Sequence, residues 1–249
     1  MALARTAPPK KTVSAATAKQ RMLKQLVCSD APEQALRHRG YVRIAGVDEV
    51  GRGALYGPVV AAAVILPERM ETLAAAGLKD SKQMVREDRE CLDTQIRAMA
   101  LAVCVVEVDA KTIDRVNIYQ ATRMAMLAAV RGLCVEPDHL LIDAMRLDHR
   151  CSQTKLIYGD SLSLSIAAAS VVAKVYRDAM MRECDRLHPG YGLASHKGYG
   201  TPEHRRALAE LGPTVLHRRS FGPVKAVDSD AALETELRFE DAGLEAEWV

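Results

Sequence analysis

Three features are scarce in this sequence, and each scarcity excludes a class of protein. The longest apolar runs are strand-sized, far short of the roughly 20 residues that a membrane-spanning helix requires. The six cysteines form no C-x-x-C pair and no apolar signal segment opens the chain, so we expect reduced thiols in a cytoplasmic protein. Aromatic residues make up only 4% of the chain, which leaves Ala, Val, Leu and Ile to build the core.

Net charge is also low, but it is unevenly distributed. The whole chain has a formal charge of +2. Residues 226–249 contain eight acids and one arginine, a charge of −7, and subtracting this from +2 leaves +9 for residues 1–225. A basic body favours a polyanionic partner such as nucleic acid. A solvated surface with an acidic tail would give the same balance, so charge alone does not decide.

Composition divides the chain into three parts. Residues 1–40 begin rich in Pro, Lys and Ala and then become helical in pattern, which predicts a basic N-terminal arm that is partly disordered or helical. Residues 41–225 form the predicted folded domain, and residues 226–249 form an acidic tail. An organelle transit peptide is the alternative interpretation of the N-terminal arm.

Apolar patterning within the middle part predicts an α/β fold. Strands are predicted over residues 41–47, 58–66, 101–108 and 139–143. Helices are predicted over residues 85–100, 117–133 and 161–187. The first two strands are too close for a crossover helix, so they should pair antiparallel. Together these elements predict a mixed sheet with helices on its faces.

Acidic residues stand where the predicted strands end. Asp48 and Glu49 follow the first strand, Asp143 ends the fourth, and Asp160 directly precedes the long helix. Ligands of open α/β sheets gather beyond the carboxyl ends of strands. Taken singly, the acids could be a solvated loop (Asp48 and Glu49), a turn residue (Asp143) and a helix N-cap (Asp160). Taken together, they predict one shared site.

Clustered carboxylates repel one another, by about 4 kcal/mol for a pair at ~4 Å and an effective dielectric of 20. Such a cluster is tolerable if it binds hard divalent cations, and ligation by oxygen alone favours Mg²⁺ or Mn²⁺ over zinc. With a basic body, this pattern predicts phosphodiester chemistry with two metal ions.

A glycine-arginine-glycine stretch, Gly51, Arg52 and Gly53, follows the first acids. It is not an NTPase phosphate loop, because Arg stands where Lys is required and a strand rather than a helix follows. Glycines at these positions would let backbone N–H groups approach a ligand closely. An ordinary glycine turn is the alternative.

Seven blocks of sequence, collinear over residues 41–224, resemble the ribonuclease HII family, the type 2 ribonucleases H of bacteria. The blocks are GVDEVGRG with its following GPV, LKDSKQM, IDRVNIYQAT, LIDAM, GDSLSLSIAAASVVAKVYRD, HKGYGT and HRRSFGPV. The resemblance implies a ribonuclease H-like fold, with a five-stranded mixed sheet flanked by helices and a C-terminal helical region. It also implies that the metal-binding and catalytic acids are Asp48, Glu49, Asp143 and Asp160.

The activity implied by the resemblance is that of an endoribonuclease. It would hydrolyse the RNA strand of RNA·DNA hybrids and cut 5′ of single ribonucleotides embedded in duplex DNA, leaving 3′-hydroxyl and 5′-phosphate ends. One of two divalent ions would activate the attacking water and the other would stabilise the departing 3′ oxygen. Gly51, Arg52 and Gly53, with Tyr199, would recognise the 2′-hydroxyl, which distinguishes RNA from DNA. Tyr199 could instead be a turn aromatic.

Further basic and polar residues are candidates for contacts with the nucleic acid backbone. Lys82 and Asn117 lie in matched blocks and rank first. Other candidates are Lys174, Arg177, His196 and Lys197, whereas Arg218 and Arg219 could equally be surface charges. We expect a monomer without membrane association. The rival functions are another metal-dependent nuclease of the same superfamily with no ribonucleotide requirement, and a nucleic-acid-binding module without chemistry.

Overall fold

The computed structural model describes residues 26–228, which build a five-stranded mixed sheet with helices on both faces. The strands are β1 (Ile44–Val50), β2 (Val59–Ile65), β3 (Ala102–Val108), β4 (His139–Asp143) and β5 (Ser152–Leu156). Their order across the sheet is β3-β2-β1-β4-β5. The β1–β2 and β2–β3 pairs are antiparallel and the β1–β4 and β4–β5 pairs are parallel. The predicted mixed α/β fold is therefore confirmed.

Helices cover both faces of this sheet. They are α1 (Ala31–Arg37), α2 (Glu71–Ala75), α3 (Arg86–Met99), α4 (Ala110–Val116), α5 (Ile118–Arg131), α6 (Leu164–Leu187), α7 (Leu193–His196) and α8 (Pro202–Leu211). Helix α5 packs on one face, and α3 and α6 pack on the other. Residues 222–228 are also helical. Among the helices of residues 26–228, none combines the length and the apolar character needed to cross a membrane.

Small side chains let the layers approach closely. All seven residues of β2, VVAAAVI, are buried. A Cβ atom on Gly46 in β1 would lie 2.0 Å from the backbone carbonyl carbon of Ser165 in α6. Only glycine therefore fits at this point of β1, and the first turn of α6 lies directly against the sheet. This contact explains how a core with few aromatic residues is filled, and it sets α6 beside the acids of β1.

The structure corrects the bounds of two predicted elements and adds a strand that apolar patterning did not predict. Strand β1 begins at Ile44 and continues to Val50, so Asp48 and Glu49 lie inside the strand, paired with Ala62 and Ala61 of β2. The long helix begins at Leu164, not at residue 161. Strand β5 has no counterpart among the strands predicted from apolar patterning, because its sequence, SQTKL, is polar and half-exposed.

The chain before residue 41 contributes to the folded unit. In α1, Leu36 packs with Ile44 in a small core cluster. Glu33 is fully buried, and its Oε1 atom accepts hydrogen bonds from Ser163 Oγ at 2.5 Å and from the backbone N–H of Ser165 at 2.8 Å. These contacts tie the predicted arm to the start of α6. The three-part division itself stays a prediction, since residues 1–25 and 229–249 lie outside the described residues.

Candidate active site

Three of the predicted acids meet at the carboxyl ends of β1 and β4. Val47 of β1 pairs with Ile142 of β4 in parallel register, so the next residues on the two strands, Asp48 and Asp143, lie side by side. Asp48, Glu49 and Asp143 each offer a carboxylate oxygen, and these atoms lie within 4.8 Å of one another. The sheet topology thus assembles the cluster from residues about 95 positions apart in the chain.

Backbone N–H groups orient two of these carboxylates. Asp48 Oδ1 accepts a hydrogen bond of 2.8 Å from the backbone N–H of Glu49. Asp143 Oδ1 accepts one of the same length from the backbone N–H of Gly159, in the turn that leads to α6. Each aspartate keeps its other oxygen for a ligand, because only one oxygen of each is engaged in these contacts.

Burial and mutual repulsion make the cluster costly in its charged form. Burial raises the pKa of Asp48 well above its usual range, and the charges of Glu49, Asp143 and Asp160 raise it further. The pKa of Glu49 is raised by burial, against the lowering effect of Arg52. Burial also raises the pKa of Asp143, partly offset by the Gly159 N–H group. A cation at this cluster would remove the cost.

Asp160 lies beside the cluster but is bound to a lysine. Its Oδ2 atom accepts from Lys82 Nζ at 3.0 Å. Burial alone would lower the pKa of Lys82, but the charges of Asp160 and Asp80 raise it above its ordinary value. The alternative that Asp160 caps the long helix is wrong, because the side chain of Ser163 accepts from Ile166 N–H and is the N-cap of α6.

The cluster fits a hard divalent cation. Its donors are carboxylate oxygens, the ligands that Mg²⁺ and Mn²⁺ prefer. Among the described residues Glu49 Oε2 is buried yet has no hydrogen-bond partner. A buried carboxylate oxygen without a partner is costly unless it binds something. We therefore regard Asp48, Glu49 and Asp143 as the core of a candidate metal centre, with Asp160 at its edge.

The glycine-arginine-glycine loop connects directly to the acids. Arg52 donates to Glu49 Oε1 at 3.2 Å. Gly51 has a φ of +89°, and a Cβ atom there would lie 2.3 Å from Nε of Arg177, so this glycine is required by the fold. Gly53 differs, because a Cβ there would meet Tyr199 at an ordinary 3.9 Å. No packing contact among the described residues explains glycine at position 53.

Tyr199 lies next to this loop. It forms an isolated bridge with Ala54, and its side chain is partly exposed, with 37% of the residue surface accessible. The guanidinium of Arg177 lies 5.7 Å from the centroid of the tyrosine ring. An accessible ring supported from below by a buried cation is suited to stacking on a sugar or base. The structure thus brings the predicted recognition residues together.

Two of the arginines that are candidates for contacts with nucleic acid are buried instead. Arg177 is fully buried and donates to the carbonyl oxygens of Tyr56, Pro58 and Lys197. Arg218 is also fully buried, and donates to the carbonyl oxygens of Gly57 and Arg52 at 2.8 and 2.9 Å. Both side chains hold the loop segments together from beneath, so neither can contact a phosphate.

The remaining predicted contacts have local roles. Asn117 is exposed, has a φ of 68°, and caps α5 by accepting from Gln120 N–H at 3.1 Å. His196 Nδ1 accepts from Gly198 N–H, so this ring supports the turn before Tyr199. Lys174 is paired with Asp178 at 2.7 Å, and Lys197 donates to the carbonyl of Ala194.

The mixed sheet and the carboxylates gathered at the ends of its central strands define the ribonuclease H-like class of nucleases. The family model described as Ribonuclease HII matches residues 45–224. A ribonuclease HII from Koribacter versatilis is 54% identical over 214 residues, which cover 86% of this chain and 83% of the relative. The chain therefore belongs to the ribonuclease HII family and is a metal-dependent endoribonuclease.

Solved structures support the fold. The crystal structure of ribonuclease H2 from Pyrococcus horikoshii OT3 matches with a TM-score of 0.67 at 23% identity, covering 76% of this chain and 98% of that one. Bst-RNase HIII in complex with Mn²⁺ matches with a TM-score of 0.61 at 20% identity, covering 90% of this chain and 76% of that one. The predicted family and the ribonuclease H-like fold are both confirmed.

Proposed function

We propose that this enzyme hydrolyses the RNA strand of RNA·DNA hybrids and cuts 5′ of single ribonucleotides in duplex DNA, leaving 3′-hydroxyl and 5′-phosphate ends. The observation that carries this proposal is the contact between Arg52 and Glu49. It joins the carboxylate cluster to the loop that lies against Tyr199, so a group that recognises a sugar would stand next to the groups that cleave its phosphate. Family membership supports the same substrate class.

Asp48, Glu49, Asp143 and Asp160 would hold two divalent ions, Mg²⁺ or Mn²⁺. When bound, such ions activate a water nucleophile and stabilise the charge on the departing oxygen. The chain's own contribution is to fix the carboxylates. The register of β1 and β4 places Asp48 beside Asp143, and the N–H group of Gly159 orients Asp143. Lys82 neutralises Asp160 in the absence of ligands. A cation would compete with Lys82 for Asp160, and a phosphate would compete with Asp160 for Lys82.

The 2′-hydroxyl would be recognised by backbone groups of residues 51–53 together with Tyr199. Gly53 supports this, because the fold leaves room for a side chain there and the sequence has none. A side chain at position 53 would project beside Tyr199, into the space where a sugar stacked on the ring would lie. Lys82 and Asn117 are proposed as backbone contacts, in addition to the local interactions that they make in the structure.

The decisive assay compares three labelled duplexes of identical sequence: one with a single ribonucleotide, one RNA·DNA hybrid, and one of DNA alone. Each is incubated with Mg²⁺, Mn²⁺ or EDTA. We expect metal-dependent cleavage of the first two and none of the third. Cleavage of the all-DNA duplex would favour the rival nuclease without a ribonucleotide requirement, and binding without cleavage would favour a non-catalytic module.

Tyr199→Ala and Tyr199→Phe test the recognition residues. If the ring positions the sugar, Tyr199→Ala should slow single-turnover cleavage at an isolated ribonucleotide by up to about 10²-fold, because a small misplacement disrupts in-line attack. Phe should recover part of the rate by restoring the stacking face. Binding should weaken only modestly, since phosphate contacts supply most of the affinity. Equal rates for all three proteins would contradict a role in recognition.

The expected cytoplasmic location and monomeric state stay predictions. Size-exclusion chromatography with light scattering, on the full chain, would test the second.

A further inference from the structure

Beneath Tyr199 lies a cluster of buried histidines that the proposed chemistry does not use. His204 and His217 are buried, and their Nε2 atoms lie 3.2 Å apart. His204 Nδ1 lies 3.0 Å from the carbonyl oxygen of Tyr199. His217 Nδ1 lies 2.9 Å from the backbone nitrogen of Thr214. The four groups form a continuous chain of contacts from Thr214 to Tyr199.

Both ends of this chain fix where its protons lie. A carbonyl oxygen can only accept, so His204 must carry its proton on Nδ1 and donate to Tyr199. A backbone N–H group can only donate, so His217 must accept at Nδ1 and carry its proton on Nε2. The central contact then runs from His217 Nε2–H to the bare Nε2 atom of His204. The two ends independently require the same direction, with both rings neutral.

A third imidazole follows the same rule. His196 accepts from Gly198 N–H at Nδ1, and its Nε2 atom lies 2.7 Å from the carbonyl oxygen of Tyr191. Its ring stacks on that of His204, with centroids 4.5 Å apart. The N–H group of Tyr199 donates to the carbonyl of His196 at 3.0 Å. Both backbone polar groups of Tyr199 are therefore bonded to one of these histidines.

We propose that His204 and His217 are positioning residues for Tyr199, and that a directed chain of two neutral imidazoles holds the tyrosine where it meets the sugar. The proposal rests on the recognition role proposed for Tyr199. The carbonyl of Tyr199 also accepts from Thr201 N–H at 2.8 Å, so the backbone turn exists without the histidines. What His204 adds is a second donor at the same oxygen, which fixes the plane of the peptide that carries the ring.

The two hydrogen-bonded imidazoles cannot accept a proton without losing a contact. A proton on His217 would place a donor against the N–H group of Thr214, and a proton on His204 would force the same conflict one ring further on. The surroundings also disfavour a charge: burial lowers the pKa of His204, and burial together with the charges of His204, Arg219 and His188 lowers that of His217 to about 3. The titratable and charged groups around the two rings are Tyr56, His188, Tyr191, His196 and Arg219.

The first test reads the tautomers directly. Long-range ¹H–¹⁵N spectra of the full chain should show His204 protonated only at Nδ1 and His217 only at Nε2. Both patterns should persist between about pH 8 and pH 5, where free imidazole becomes charged. The opposite tautomer on either ring, or a charged ring at neutral pH, would overturn the proposal without any reference to activity.

The second test uses two amides that differ in reach. In His204→Asn the amide lies near the position of Nδ1 and can still donate to Tyr199, whereas in His204→Gln it lies near Nε2 and cannot. Neither side chain titrates. The quantity to compare is the substrate ratio, the cleavage rate at a single ribonucleotide divided by that on continuous hybrid. We expect His204→Gln to lower this ratio by about 10-fold, and His204→Asn to lower it less. The control is His188→Gln, which alters a neighbouring ring that takes no part in the hydrogen bonds from Thr214 to Tyr199. Melting temperatures check that each variant folds.

The outcomes separate this proposal from the one on which it rests. If Tyr199→Ala changes the substrate ratio but His204→Gln and His204→Asn behave alike, the positioning role of the histidines is overturned while the recognition role of Tyr199 stands. If Tyr199→Ala leaves the ratio unchanged, the recognition role fails and the positioning role fails with it. If His204→Gln lowers the substrate ratio in the wild-type protein but has no further effect when combined with Tyr199→Ala, the proposal is supported, because the histidine then acts through the tyrosine.

Discussion

Replacing Asp48 with Asn separates a metal ligand from a structural acid, because the two roles predict opposite changes in stability. Asp48 is only 3% exposed and carries a pKa raised by burial first and by its acidic neighbours second. Asn keeps the size and the acceptor for the Glu49 N–H group. Two unit charges at 4.8 Å, the limit found for this cluster, repel by about 3 kcal/mol at an effective dielectric of 20.

Because the carboxylate oxygens lie within 4.8 Å of one another, two full charges at a shorter separation would repel more strongly, whereas partial protonation of Asp48 relieves part of the repulsion. We expect Asp48→Asn to stabilise the metal-free protein by about 1 kcal/mol at neutral pH, or roughly 2–4 °C for a chain of this size. The sign follows from the raised pKa. Ionised Asp48 costs stability above the pH at which it ionises in the unfolded chain, near 3.8, so the advantage of Asn should grow with rising pH and vanish in acid.

Thermal unfolding in EDTA, from about pH 4 to pH 8, would measure this difference for the two proteins. Adding Mg²⁺ or Mn²⁺ should stabilise wild type and have less effect on the variant, which should also lose cleavage. Asp109→Asn is the matched control. The N–H group of Thr112 lowers the pKa of Asp109, so removing that charge should not raise the melting temperature. A lower melting temperature for Asp48→Asn at pH 8, with activity retained, would refute the metal-ligand assignment.

Three further predictions concern residues outside the carboxylate cluster. Gly53→Ala should change the free energy of unfolding by no more than about 0.5 kcal/mol from wild type but slow cleavage at least 10-fold. Gly51→Ala should lower the free energy of unfolding by about 2 kcal/mol or more, because of its positive φ and its contact with Arg177. Chemical denaturation and single-turnover kinetics distinguish the two variants. Glu33→Ala should lower the free energy of unfolding by about 2–3 kcal/mol in urea titrations, because buried donors at the start of α6 lose their acceptor; an unchanged midpoint would contradict this. Removing residues 229–249 should leave the cleavage rate unchanged and tighten binding at low salt, and a tenfold loss of turnover would contradict it.

The positions of the acids could be predicted because charged residues stand out against the apolar pattern of the strands. Asp143 stands where an apolar strand stops, and the sequence predicts its position correctly. Asp48 and Glu49 interrupt an apolar run in the same way, and this led to the wrong strand end. Backbone pairing is indifferent to side-chain polarity, so β1 continues through both residues to Val50. A sequence pattern locates such acids but does not show whether the strand ends with them.

The buried arginines could not have been predicted from local pattern. Arg177 lies on a long helix, where an arginine is normally exposed. It is buried because three carbonyl oxygens, all from segments distant in sequence, converge on its guanidinium. More than 100 residues separate Arg177 from Tyr56 and Pro58 in the sequence, so local periodicity gives no sign that these groups meet. The polar edge strand β5 escaped prediction for a related reason, since its partners rather than its own residues define it.

The two parts of the site are therefore held by different kinds of contact. Strand register fixes Asp48 and Asp143 within the sheet, where a change of position would break a ladder of hydrogen bonds. The glycine-arginine-glycine loop and the segments beside it instead rest on buried side chains. Arg218 binds the carbonyl group of Arg52, Arg177 binds that of Tyr56, and His204 contacts that of Tyr199. A substitution at Arg177 or Arg218 should therefore displace these loop segments while the register of β1 and β4 keeps Asp48 and Asp143 in place.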